Sequence, residues 1–228
     1  MNSKKLFFQT LIISVIIQLL TGVFEIGSLF IKVPSEFTII RQLLIMEITV
    51  QFIEGLFYLW LVLNFKHVTD VTPKRYIDWS ITTPTMLITL IFYLIFSYEK
   101  EKQKGNTTTL NFFDLLLQNS CTIRNILLLN WLMLIFGYLG EKKIIPTITG
   151  VILGFIPFFI YFLIIYINFV KTQFGFYLFL YFFIFWSLYG LVAFLPYYLK
   201  NALYNILDLF SKNFFGVFLS YTIFTGNY

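Results

Sequence analysis

Apolar residues run along this chain in seven long stretches, at 7–31, 37–64, 75–98, 122–140, 146–169, 174–198 and 201–223, separated by polar breaks. A helix needs about 20 predominantly apolar residues to cross the hydrocarbon core of a bilayer. Each stretch is long enough, so the pattern predicts an all-α bundle of seven transmembrane helices that occupies 1–228 as a single domain. Most of the breaks are short: Pro34 and Ser35 after the first stretch, then 66–74, 141–146 and 171–173. Connections of that length make sequential helices antiparallel neighbours. The exception is 98–120, whose Glu99-Lys100-Glu101-Lys102-Gln103-Lys104-Gly105-Asn106 run reads as a solvated loop. The first stretch carries Ser14, Gln18, Thr21 and Glu25 along one face, too long and too polar for a cleaved signal peptide, and is expected to remain as a helix.

Composition agrees with the pattern. The 228 residues are 59% hydrophobic and only 12% charged, with a mean hydropathy of +0.83, far more apolar side chain than a soluble domain can cover. The net charge of +5 fits contact with anionic lipid headgroups and not nucleic-acid binding. Orientation is not decided by charge. Lys32, Lys100, Lys102, Lys104, Arg124 and Lys171 fall on one side, and Lys4, Lys5, Lys66, Lys74, Lys142 and Lys143 on the other. A lone cysteine, Cys121, rules out an intrachain disulfide and is expected to be a small packing residue; His67 is expected at the surface. No metal-ligand cluster and no constellation for enzyme catalysis is present in the sequence.

Ionisable residues inside the apolar stretches carry the chemistry. An ionised side chain at mid-bilayer costs about 2.5 to 3.5 kcal/mol on insertion scales, so it should face the bundle interior beside a partner. Lys212, in the last stretch, has Asp208 four residues earlier, on the same face of a helix. A buried amine of this kind is suited to condensation with an aldehyde, because a low dielectric disfavours the ammonium form. The third stretch carries Arg75-Tyr76-Ile77-Asp78-Trp79-Ser80-Ile81-Thr82-Thr83-Pro84, with Asp78 inside the span. Taken alone, Arg75 and Asp78 could be a structural ion pair.

Together these segments resemble the microbial rhodopsins, whose third helix carries Arg-Tyr-x-Asp-Trp-x-x-Thr-Thr-Pro and whose seventh carries Asp-x-x-x-Lys. Both patterns are unbroken here. Trp186-Ser187-Leu188-Tyr189 is similar to the family's Trp-x-x-Tyr, and the segment from Met133 to Glu141 looks like the fourth helix of proteorhodopsins. The resemblance implies all-trans retinal bound covalently to Lys212 through a Schiff base, with Asp78 and Asp208 as counterions, Asp78 as proton acceptor and Arg75 balancing the excess negative charge. It places Trp79, Thr82, Thr83, Met133, Gly137, Trp186 and Tyr189 in the retinal pocket. It also departs from outward proton pumps: Thr89 stands where such a pump has its internal proton donor, and a hydroxyl cannot donate at neutral pH. Lys200 stands near the place of the release glutamate.

Three polar stripes offer another route: Ser14, Gln18, Thr21 and Glu25 on helix one; Glu47, Gln51 and Glu54 on helix two; Asn201, Asn205, Asp208 and Lys212 on helix seven. They read either as a hydrated ion path or as hydrogen-bonding glue between helices. The second helix resembles that of channelrhodopsins, more closely the short ones of giant algal viruses. By that resemblance Ser14, Glu54 and Asn205 form a central gate, Glu47 and Gln51 lie towards the cytoplasm, and Thr83 and Asn130 couple helices three and four. The expected function is a light-gated channel for H+, Na+ or K+. An outward proton pump with Glu47 as internal donor is the alternative, and a sensory rhodopsin the third reading. The resemblance further implies an extracellular N-terminus, a multi-pass protein of a host-cell membrane, and a homo-oligomer in which Arg41 could line the assembly.

Overall fold

A computed structural model describes residues 3–67, 70–102 and 109–226. The spans are α1 (Ser3–Ser28), α2 (Thr38–Asn64), α3 (Thr72–Lys102), α5 (Ser120–Glu141), α6 (Thr147–Phe169) and α7 (Gln173–Val192), with a short α4 (Phe112–Gln118) before α5. The seventh crossing is made of α8 (Tyr197–Asp208), a π-helical turn (Leu209–Asn213) and α9 (Phe214–Thr225), which follow one another without a break. No β-strand occurs among the described residues. Six helices are individually long and apolar enough to cross a membrane, and the π-turn divides the seventh.

Two boundaries differ from the sequence expectation. The 98–120 break is partly helical: α3 continues to Lys102, and Asn111 caps α4 by accepting a hydrogen bond from Phe113 N at 2.8 Å. Leu115 of α4 is buried against the core, which gives that helix its anchor; residues 103–108 lie outside the described residues. The sixth stretch is shorter than 174–198 because Pro196 cannot continue α7 and instead opens α8. Cys121 is exposed on α5 and does not pack inside the bundle. His67 is exposed, as expected.

The bundle closes on itself: α1 packs against α2 on one side and α8 and α9 on the other, while α3 touches α2, α5, α6 and α7. Two thirds of the apolar window of α3 is buried (67%), against 22% for α5, so α3 is the central span. Large apolar side chains such as Leu19, Leu20, Val23, Leu63 and Ile77 point outward, as they should where the surroundings are lipid. Lipid removes most of the hydrophobic drive for helices to associate, so close packing and interhelical hydrogen bonds take over. On α6, Gly150 shows the first device. A Cβ there would stand 2.8 Å from the Phe136 carbonyl of α5, so only glycine permits that approach. Pro84 in α3 shows the second. It cannot bond the carbonyl of Ser80, and the Trp131 indole of α5 donates to that oxygen at 2.9 Å.

Candidate functional site

The π-turn carries the amine. In a π-helical turn the i to i−4 ladder is locally interrupted, and Tyr181 of α7 donates to the Phe210 carbonyl inside this turn at 2.7 Å. Lys212 thus projects to the bundle centre from an irregular stretch that α7 stabilises. Its Nζ donates to Asp78 Oδ2 at 2.5 Å and lies 3.6 Å from Glu54 Oε1 and 4.0 Å from Asp208 Oδ1. All four groups are buried.

The carboxylates are not equivalent. Asp208 is held by three donors: Arg75 Nη1 at 3.0 Å, Tyr58 OH at 2.8 Å and Tyr189 OH at 2.7 Å. Arg75 is spread over helix seven, with Nε donating to Asn201 Oδ1 at 3.1 Å and Nη2 to Asn205 Oδ1. Asp78, by contrast, has Oδ1 without a hydrogen-bond partner, and Glu54 has neither oxygen bonded. Two cations, Lys212 and Arg75, face three carboxylates. Sequence reading found Asp78, Asp208, Arg75 and Lys212 but not the place of Glu54 beside the amine, nor Tyr58 at all. A clue was available, since Glu54 and Tyr58 are one turn apart on the α2 face that also carries Glu47 and Gln51.

An apolar cavity ends on Lys212. Of the expected pocket residues, Trp79, Thr83, Met133, Gly137, Trp186 and Tyr189 line it, joined by Tyr76, Met86 and Phe158. Thr82 is not among the lining residues; its hydroxyl donates to the Asp78 carbonyl at 3.0 Å within α3. Beside the cavity, Asn130 Nδ2 donates to Thr83 Oγ1 at 2.8 Å, tying α5 to α3.

The three polar stripes meet around the axis of α1, α2 and the seventh crossing. Ser14 Oγ donates to the Asn205 carbonyl at 3.1 Å, and Asn205 Nδ2 to Thr10 Oγ1 at 3.1 Å. Ser14 and Asn205 are therefore joined, while Glu54, expected beside them, contacts Lys212. One level nearer the α1–α2 connection, Gln51 Nε2 donates to the Gln18 carbonyl at 2.7 Å and to Thr21 Oγ1 at 2.6 Å. Asn213 Nδ2 reaches the same hydroxyl at 2.9 Å. Further along, Thr89 of α3 donates to Glu47 Oε1. At the opposite end, Lys200 is paired with Glu141 at 2.7 Å, a contact across 59 positions that sequence reading missed.

Solved structures share this architecture. The chain is 25% identical to the viral rhodopsin OLPVRII, with a TM-score of 0.81 over 98% of this chain and 99% of that one. The blue light-absorbing proteorhodopsin from Med12 matches at 18% identity and a TM-score of 0.73, over 97% and 98% of the two chains. Xanthorhodopsin, a light-driven ion pump with a dual chromophore, matches at 18% identity and a TM-score of 0.72, over 99% and 95%. No curated protein sequence matches the chain. The sequence profile of the bacteriorhodopsin-like proteins matches residues 6–226, and with that match, the buried lysine and the cavity ending on it, the chain belongs to the bacteriorhodopsin-like protein family.

Proposed function

We propose that this rhodopsin is a light-gated cation channel whose retinal is attached at Lys212. The cavity suits such a chromophore: it is apolar, faced by the Trp79 and Trp186 rings, and ends on a buried amine. In this reading Lys212 Nζ stands for the nitrogen of the linkage. Retinal bound there supplies light absorption and a bond rotation that reorients the charge at that nitrogen.

The side chains do the rest. Asp78 Oδ2, 2.5 Å from Nζ, takes the proton, and its unpartnered Oδ1 leaves it free to turn away. Asp208 stays in place, held by hydrogen bonds from Arg75, Tyr58 and Tyr189. Glu54 carries the proposal. Its one ion pair among the described residues is with Lys212, and neither oxygen has a hydrogen bond. When Nζ gives up its proton, nothing holds that carboxylate at the centre of the polar column, and its release couples light to opening. Above and below it the column is polar throughout, from Glu25 and Glu47 past Gln51 and Thr21 to Asn205 and Asn201. Carboxylates along such a path favour cations. By family likeness the N-terminus is extracellular, so the α1–α2 end faces the cytoplasm. Copies of the chain assemble in the membrane with Arg41 towards the shared centre, and H+, Na+ or K+ is the cargo.

Voltage-clamp recording under light tests this reading. A channel gives a photocurrent that reverses sign, with a reversal potential that follows the cation gradient, and Glu54→Gln changes its selectivity. One observation favours a second reading, an outward proton pump: Thr89 donates to Glu47, so a carboxyl group occupies the neighbourhood of the missing internal donor. A photocurrent of one sign at every potential decides for that pump and against the channel.

A further inference from the structure

The carboxyl group of Glu25 has no place in the mechanism above beyond lining the column, yet its surroundings are specific. It is 1% exposed, and neither oxygen has a hydrogen-bond partner. It packs directly on the backbone of Gly216 in α9. A Cβ at that glycine would lie 2.7 Å from the Glu25 Cδ and 2.9 Å from Oε2, so glycine leaves the carboxyl group its space. One turn further on the same face of α9 is Ser220, a fully buried hydroxyl that also lacks a partner. On α2, Glu47 is the titratable group that interacts with Glu25 electrostatically, and Glu47 Oε2 is unpartnered too. On α3, the group facing Glu47 is Thr89. Neither glutamate has an ion pair with a lysine or arginine among the described residues.

An ionised carboxylate at membrane depth with no cation and no donor is far costlier than the neutral acid. Glu25 is such a buried, unpartnered carboxyl group. It lies three residues before the end of α1 at Ser28, about 4.5 Å along the axis. We propose that Glu25 is a second internal proton carrier, which passes its proton to Glu47 and is refilled from water at the α1–α2 end. The step balances. Once Glu47 has given up its proton, the O–H bond of Glu25 breaks and one forms at Glu47 Oε2, while the Thr89 hydroxyl remains on Oε1. The negative charge moves to Glu25, and the unpartnered Ser220 hydroxyl, one turn from Gly216 on the same face of α9, is assigned as its donor. A hydronium ion then restores the acid and leaves water. This inference rests on proton transfer through Glu47, and serves either a proton-conducting channel or a pump.

Infrared difference spectroscopy on the full, retinal-loaded protein in lipid vesicles tests it without any membrane voltage. Illumination should change a carboxylic C=O band that Glu25→Gln removes and that differs from the band removed by Glu47→Gln. In Glu25→Gln, return to the dark state should slow on the order of tenfold or more, and azide, a small permeant weak acid, should restore it. Ser220→Ala leaves the carboxyl group in place and should shift its band and slow its recovery, which keeps the test available if Glu25→Gln fails to fold. The proposal is overturned if the carboxylic bands and recovery are the same in Glu25→Gln and wild type. It is equally overturned if Glu25→Gln removes an ionised carboxylate band in the dark, the sign of a cation ligand. A failed reversal-potential test sinks the channel but leaves the Glu25 band unaffected, so the two failures are distinguishable.

Discussion

The polar column has two halves that are built differently. On the α2–α3 side of Lys212, Arg75, Tyr58, Tyr189, Asn201, Asn205 and Asp208 form a network in which no buried side-chain polar atom of these six lacks a partner. On the α1–α2 side, Gln18, Glu25, Glu47, Gln51, Asn213 and Ser220 each keep at least one buried polar atom unbonded. A satisfied buried network is stiff and costly to disturb. Unbonded groups draw in water and rearrange at little cost where the site is polar. In the channel proposed above, the bonded half is the part that must loosen before ions pass and the unbonded half the part that admits water, with the amine at the junction.

Mutations can break that contrast in order of size. Removing the junction is most drastic: Lys212→Ala should abolish the coloured pigment on adding all-trans retinal, read by visible absorption, and a coloured variant would overturn the attachment site. Arg75→Gln strips the cation from the sealed half. Losing one partner of a buried pair costs about 3 to 5 kcal/mol, so thermal unfolding in detergent should shift down sharply. Tyr58→Phe removes one of three donors to Asp208 and should cost about 1 to 1.5 kcal/mol, with a shift in the pigment's absorption as the readout of altered charge near Nζ. Asn130→Ala breaks the α5 to α3 bond. It should cost about 0.6 to 1.7 kcal/mol and alter closing kinetics; unchanged closing would remove these residues from gating. Gln51→Met in the open half should change stability by no more than about 1 kcal/mol, yet reduce the photocurrent, and equal currents would show that the half does not conduct.

How much could be read in advance differs between these regions. Seven spans follow from run lengths alone, because the bilayer forbids unpaired backbone. Asp78, Arg75, Asp208 and Lys212 are legible since charge inside an apolar run is rare, and their spacings match a family pattern. Thr82 shows the limit: the motif puts it in the pocket, but its place on α3 leaves it out of the residues that line the cavity. Cys121 shows another: residue type alone does not tell a packed position from an exposed one at the start of α5.

What the sequence determined by itself is therefore the membrane class, the number of crossings and the ionisable set at the centre, since each is a local property of helical periodicity or of a charge's cost in lipid. Only the tertiary structure decided which carboxylate each cation takes. Tyr58 meets Asp208 across 150 positions, Glu54 meets Lys212, and Lys200 meets Glu141. The π-turn at Lys212 is also a tertiary outcome, held where Tyr181 of α7 meets the Phe210 carbonyl. Such pairings depend on helix rotation and depth, which neighbours fix through packing and which no single apolar stretch encodes.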